Sequence, residues 1–259
     1  MTPREFPGQD IYQSPSQRIA WLLHLLKARF RNKERDRVAW LGRFIPANAV
    51  IFDIGAHFGY FAKEFARLQG GSCFIHAFEP FSYNHQILSS VTSRFPNVRR
   101  HDLALSDADG HADLAVPVKV QGKIGPGLAH LGEERSRDFI LERVRTSRLD
   151  TVVTDLGIDR LDFVKCDVEG AEMLVFRGAE QVLRSFHPVI YTEINADYTK
   201  RLNYEPHELL SYLGRIGYEA RHVDRDAAGF TLSREKGYTG PGDYLLRINP
   251  RSASTKPAA

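Results

Sequence analysis

Three carboxylates in this chain each stand at the end of a candidate strand: Asp53 in VIFDIGAHFG, Glu79 in FIHAFEP and Asp102 in VRRHDLAL. A strand that ends in an acid and turns through Gly55-Ala56-His57-Phe58-Gly59 presents backbone N–H groups and a helix start, and glycine there lets a ligand approach closely. A dinucleotide fingerprint would read G-x-G-x-x-G, whereas this turn reads G-x-x-x-G with an acid directly ahead of it. Asp53 in that place repels a pyrophosphate and suits a ligand with a cationic amino group. Glu79 lies 26 residues after Asp53, near the spacing at which an α/β nucleoside site sets an acid to accept both ribose hydroxyls. Asp102, followed by Leu103 and Ala104, can hold an adenine through its exocyclic amine and its face. Each acid alone is equally a helix cap or a turn residue. Together, at successive strand ends, they favour a nucleoside site.

A second acidic group is denser: KCDVEGAE at 165–172 carries Lys165, Asp167, Glu169 and Glu172. Lys165 and Asp167 alternate onto one face of a strand. Carboxylates buried together raise one another's pKa and a lysine among them offsets part of this, which suits a general base. Glu172 also reads as a first-turn acid answering a helix dipole, and Lys165 as a structural ion-pair partner. Glu193, in YTEINADY, ends another apolar run. Asp167, Glu169 and Glu193 would be the hard oxygen donors for Mg²⁺ or Ca²⁺ if a divalent ion were used, but no spacing demands a metal.

The elements that would position these groups alternate. Strand candidates at 50–54, 73–78, 98–102, 161–167 and 189–194 are separated by helix candidates at 59–69, 82–94, 171–185 and 205–216, the pattern of stacked βα units on a parallel sheet. Strands at 218–223, 230–232 and 244–248, with no helix between the last two, indicate an antiparallel terminal hairpin at a sheet edge. Ahead of the first strand, Trp21, Leu22, Leu25, Leu26 and Phe30 recur at helical spacing and continue through Val38, Leu41 and Phe44, so residues 1–45 read as a helical extension. Core packing is the first reading of that stripe, and a basic amphipathic helix also suits a membrane surface. Residues 46–250 form the main domain, with an irregular, glycine-rich insertion at 103–148. Residues 251–259 read as a disordered tail.

Composition narrows the class. At 259 residues, 42% hydrophobic and 26% charged, the chain fits one large α/β domain. Its net charge of +3 is too mild to argue for nucleic acid; the one basic cluster, KARFRNKERDR at 27–37, with six basic residues and two acids, reads first as a solvated helix face, with phosphate or an anionic membrane surface as alternatives. Cys73 and Cys166 sit in apolar runs as small hydrophobes. With no signal-type segment and no run long enough to span a membrane, a cytoplasmic protein is expected.

The blocks D-I-G-A-x-x-G-x-F, F-E-P, A-L-S-D and V-K-C-D-V-E-G-A-E together resemble the class I S-adenosylmethionine-dependent methyltransferases, and among them the FkbM-type family, over about residues 45–225. The last block is the most specific. The resemblance implies a Rossmann-like, seven-stranded, mostly parallel sheet with helices on both faces and a reversed final hairpin. It implies S-adenosylmethionine as cofactor: Asp53, Gly55, His57, Phe58 and Gly59 by its methionine part, Glu79 and Pro80 at the ribose, Asp102 and Leu103 at the adenine, and Asp167 close by. It further implies O-methylation of a sugar, a glycosylated natural product or a polysaccharide unit. His57 departs from the Asn common at that position. Methyl transfer to an alcohol needs an oriented oxygen and a group to take its proton; Asp167 and Glu169 are candidates for base or orienter, and Glu193 for binding a substrate hydroxyl, with His130 or His57 as alternative bases. Tyr191, Tyr198 and Tyr204 are candidates to stack on a sugar. The other partner considered is a second copy of the chain through the N-terminal helix. Two further functions stay open: a nucleic-acid methylating or binding module using 27–37, and a non-catalytic nucleoside-binding scaffold.

Overall fold

The strand candidates that end in acids do become strands in the computed structural model, which describes residues 4–5, 15–119, 123–124, 130–131 and 139–249. They are β1 (Val50–Ile54), β2 (Phe74–Phe78), β3 (Val98–His101), β4 (Phe163–Cys166) and β5 (Val189–Ile194). All five run parallel in the spatial order β5-β4-β1-β2-β3. The chain then adds β6 (Tyr218–Asp226), β7 (Gly229–Leu232) and β8 (Gly242–Ile248). β8 slots antiparallel between β5 and β6, the reversed terminal hairpin, and β7 hangs on the free side of β6. The sheet therefore has eight strands, not seven. A tight turn supplies the extra one: Asp226 accepts the N–H groups of Ala228 (2.8 Å) and Gly229 (3.1 Å), folding the chain straight back on β6.

Helices cover both faces, which is why the central strands read as mainly apolar runs rather than strictly alternating ones. In chain order they are α1 (Pro15–Phe30), α2 (Arg35–Leu41), α3 (Tyr60–Phe65), α4 (Ser82–Thr92), α5 (Leu149–Asp155), α6 (Glu172–Arg177), α7 (Glu180–Phe186), α8 (Ala196–Thr199) and α9 (Pro206–Ile216). Phe52, Ile54, Val164 and Cys166 pack with residues of α5, α6, α7 and α9. Ile51, Ala77, Phe163 and Tyr191 pack on the other face with α2 and α3.

Three expectations about local structure are corrected. The N-terminal stripe is not one helix: buried Lys63 donates to the carbonyls of Ala28 (2.7 Å) and Arg31, capping the end of α1, and α2 begins again at Arg35. The helix expected at 171–185 breaks at Gly178, where a side chain has no room because the Ser106 carbonyl oxygen would lie 1.9 Å from its Cβ. Residues 103–148, expected to be irregular, are largely regular where described. Gly110–Lys119 pairs antiparallel with Phe139–Ser147 inside a second, six-stranded sheet. That pair docks on the main domain through Glu142, which accepts from the N–H (2.9 Å) and hydroxyl (3.0 Å) of Ser82. Most of the glycine-rich part, at 120–122, 125–129 and 132–138, lies outside the described residues, as does the tail at 251–259. Among the described residues no helix is long and apolar enough to cross a membrane.

Candidate active site

Parallel register decides which groups meet at the carboxyl edge. Lys165 lies opposite Asp53 on β1 and opposite Tyr191 on β5, so the three form one row across the sheet. Asp53 is 0% and Lys165 3% exposed. The Lys165 ammonium stands 3.4 Å from Asp53 Oδ1 and 3.5 Å from Asp167 Oδ2, and donates to the carbonyls of Gly55 (2.8 Å) and Ile54 (3.3 Å). Burial opposes its charge, but Asp167 and Asp53 outweigh that and hold its pKa above the usual lysine value. Lys165 is thus a fixed cation that ties strand ends together, not a proton acceptor. Burial pushes the Asp53 carboxyl up, against the pull of Lys165. Neither Asp53 oxygen has a hydrogen-bond partner beyond that ion pair.

The turn after β1 is shaped by its neighbours. Gly55 has φ +71°, and a Cβ there would sit 1.9 Å from the Asp167 carbonyl oxygen. The glycine that sequence reasoning reserved for a ligand is required where two loops of the protein cross. His57 is also left-handed (φ +49°), a conformation that Asn and His adopt far more readily than bulky residues. A Cβ at Gly59 (φ +78°) would lie 2.8 Å from Leu88 Cδ1 and 3.4 Å from Thr92 Cγ2. Gly59→Ala is expected to cost about 1–2 kcal/mol from left-handed strain and to lower the thermal unfolding midpoint by a few degrees in a calorimetric scan.

Glu79 reaches the site but is already engaged. Its Oε2 accepts the N–H of His57 (2.7 Å), and Oε1 accepts from the Phe81 N–H (3.0 Å) and Asn84 Nδ2 (3.3 Å). Burial pushes its pKa up to about 7 against those three donors. The carboxylate therefore fastens the turn to the start of α4. Phe58 is buried in an apolar cluster with Tyr83, Ile87, Leu114 and Val144, and His57 packs on it with ring centroids 3.9 Å apart. Burial lowers the His57 pKa to about 4, with Asp167 opposing, and its Nε2 has no hydrogen-bond partner. Pro80 and Leu103 are half-buried; Asp102 is exposed at the end of β3, where its carbonyl accepts from Arg145 (2.9 Å).

At the rim above Lys165 the acids gather. Asp167, Glu169 and Glu193 are half-buried. Glu169 is pushed up to about 8, by burial first and then by Asp167, Glu193 and Glu172, with Arg201 opposing. Glu193 is pushed up to about 7 by burial and by Asp167, Asp243 and Glu172. One Glu169 oxygen, Oε2, is buried without a hydrogen-bond partner. Glu172, in contrast, is structural: it accepts the N–H groups of Val168 (3.1 Å) and Gly170 (3.3 Å) and binds the Tyr204 hydroxyl (3.3 Å). Tyr204 and Tyr191 are buried, which removes them as sugar platforms, while Tyr198 stays half-buried under Arg201, 4.8 Å above its ring. Among the described residues no group of three or more His, Cys, Asp or Glu is arranged to hold a metal ion. His130 pairs through its backbone with Ala115, and its side chain lies outside the described residues.

Sequence reasoning missed Asn84, Arg201 and Arg37. Arg37 was hidden in the charged stretch 27–37, yet it reaches Asp243 on β8 at 3.4 Å and the buried Glu34 at 3.4 Å. That stretch is therefore not a single solvated basic helix. The available signal was Trp40 and Leu41, which mark α2 as a helix with one buried face.

The family described as "Methyltransferase FkbM domain" matches residues 53–220. The chain belongs to this family. The FkbM match starts at Asp53, takes in both crossing loops and the acidic rim, and leaves α1, α2, β7 and β8 outside. The AMB antimetabolite synthetase AmbE of Pseudomonas aeruginosa is 27% identical over 253 residues, covering 84% of this chain and 12% of that protein. The 2-O-methyltransferase NoeI of Sinorhizobium fredii is 29% identical over 153 residues, covering 56% of this chain and 62% of that protein. A crystal structure of methyltransferase FkbM from Methylobacillus flagellatus shares the fold, with TM-score 0.50 at 13% identity, over 91% of this chain and 60% of that one. The chain thus spans less than two thirds of each of these relatives.

Proposed function

We propose that this FkbM-family chain is an S-adenosylmethionine-dependent O-methyltransferase whose acceptor is a hydroxyl of a sugar, a glycosylated natural product or a polysaccharide unit. The observation that carries the reading is Glu169: a carboxyl with a pKa of about 8 and one unpartnered buried oxygen, at the rim of the loops that the family match spans. The similarity to NoeI, a 2-O-methyltransferase, supports transfer to oxygen.

The residues present fit the cofactor. Asp53, whose oxygens have no hydrogen-bond partner beyond the Lys165 ion pair, suits an ammonium group beside the 55–59 turn. Glu79 and Pro80 would hold the ribose, and Asp102 with Leu103 the adenine. When bound, S-adenosylmethionine supplies an electrophilic methyl group. Glu169 takes the acceptor hydroxyl proton, and Glu193 orients that hydroxyl by accepting from or donating to it according to its own protonation. Asp167, held by Lys165, keeps the crossing loops in register. No step here needs a divalent ion.

The test is incubation with methyl-labelled S-adenosylmethionine and a panel of free and lipid- or peptide-linked sugars, locating label in the product by mass spectrometry. Label on a sugar oxygen supports the reading. Label on nitrogen, or on RNA alone, overturns it.

A further inference from the structure

Six large apolar side chains stand exposed among the described residues, and five of them, Ile19, Leu22, Leu23, Leu26 and Phe30, belong to α1. At 3.6 residues per turn the five fall within a stripe about 100° wide. The opposite face is the one that packs: Ala28 is buried, and Trp21 and Leu25 join the cluster around Phe58, Tyr83 and Ile87. α1 therefore has two apolar faces, of which the fold uses one. Lys27 borders the outer stripe on one side and Arg29 on the other, both exposed, with exposed Arg31 just beyond the helix end. The helix, PSQRIAWLLHLLKARF, has no acidic residue.

We infer that α1 docks the protein on an anionic lipid surface, its outer stripe among the acyl chains and Lys27, Arg29 and Arg31 at the headgroup phosphates. Charge complementarity selects this occupant. A second copy packed face to face on the same stripe would bring Lys27 and Arg29 near their own counterparts with no acid on either helix to answer them, whereas a phosphate-bearing surface answers both sides at once. At 16 residues the helix lies in the interface and does not cross it. The inner face of α1 touches the cofactor turn, His24 lying 5.3 Å from the Phe58 ring, so docking sets that turn one layer behind the membrane surface. α1 lies outside the family match, so the device is an addition to the domain and not part of its common core.

Flotation with vesicles of phosphatidylcholine, alone or mixed with phosphatidylglycerol, tests this. The full chain is expected to float with the mixed vesicles only, and to be released by high salt. Lys27→Glu and Arg29→Glu should each lower partitioning roughly fivefold or more, and Leu22→Asp combined with Leu26→Asp should abolish it. Because these side chains are exposed, circular dichroism and the unfolding midpoint should not change in any of the variants. Absence of flotation with either vesicle overturns the inference. So does equal binding to phosphatidylcholine alone, or binding that survives the two leucine changes. Elution as a dimer that Leu22→Asp splits, without vesicle binding, would assign the stripe to a second copy instead.

Discussion

Replacing Glu169 by Gln is expected to lower kcat by about 10²- to 10⁴-fold, the usual contribution of a general base, while leaving the affinity for S-adenosylhomocysteine nearly unchanged. The side chain is aimed by backbone that only neighbours can hold: Glu169 is left-handed at φ +56°, and Glu172 grips the N–H groups on either side of it, at Val168 and Gly170. Gly170 cannot be replaced cheaply, since a Cβ there would meet the Tyr198 carbonyl oxygen at 2.5 Å. Strain of this kind persists where surrounding structure over-determines it, and it clusters at functional sites. With a pKa of about 8, set by burial and by Asp167, Glu193 and Glu172, the carboxyl is mostly protonated below that value. Turnover should therefore rise with pH and flatten above about 8, and the Gln variant should lose that limb.

The same shift makes a stability prediction of opposite sign. A carboxyl raised above its unfolded value gives the folded state the greater proton affinity, so its contribution is complete at acid pH and is lost as pH climbs through the folded pKa. Glu169→Gln should thus unfold at a higher temperature than the parent at pH 9 and at about the same temperature near pH 5, read by scanning calorimetry across both. An unchanged pH limb in the Gln variant would move the base to Asp167 or Glu193, and the corresponding Asn and Gln variants would then carry the loss.

Burial and periodicity were legible where a residue's role depends on its own segment. The runs at 50–54 and 189–194 are strands to the residue because both faces are covered, and the sequence shows that as mostly Val, Ile, Phe and Tyr, interrupted only by Asp53, Thr192 and Glu193 near the ends. The acids at strand ends were legible for the same reason. What could not be read is anything fixed by register or by a crossing. Asp53 and Lys165 lie opposite each other only because β4 pairs with β1 in one particular alignment, and the need for Gly55 comes from a carbonyl on the other loop. That Glu79 also fastens the turn to the start of α4 could not be read, because its three donors, two of them backbone N–H groups, carry no sequence signal. Arg37 looked solvated because its partner Asp243 is on the last strand of the sheet.

Lys165→Met should do more damage to stability than any other single change at the site. It removes the cation at 3.4 Å from a carboxylate that is 0% exposed, together with two hydrogen bonds to the carbonyls of Ile54 and Gly55. Breaking a buried pair by deleting one partner leaves an uncompensated charge and costs about 3–5 kcal/mol. For a domain of this size that lowers the unfolding midpoint by roughly 10 °C. Asp53 can escape part of the cost by taking up a proton, which its burial already favours, so the variant should lose more stability at pH 9 than at pH 5. Adding Asp53→Asn to Lys165→Met removes the orphaned charge and should recover a large share of the midpoint, as replacing both members of a buried pair often does. Cofactor binding should not recover with it, because the acid proposed to meet the ammonium group is then gone. Calorimetric titration of the double variant with S-adenosylhomocysteine separates the two roles: restored stability with absent binding places Asp53 in the cofactor site, whereas restored binding would make the Asp53–Lys165 pair purely architectural.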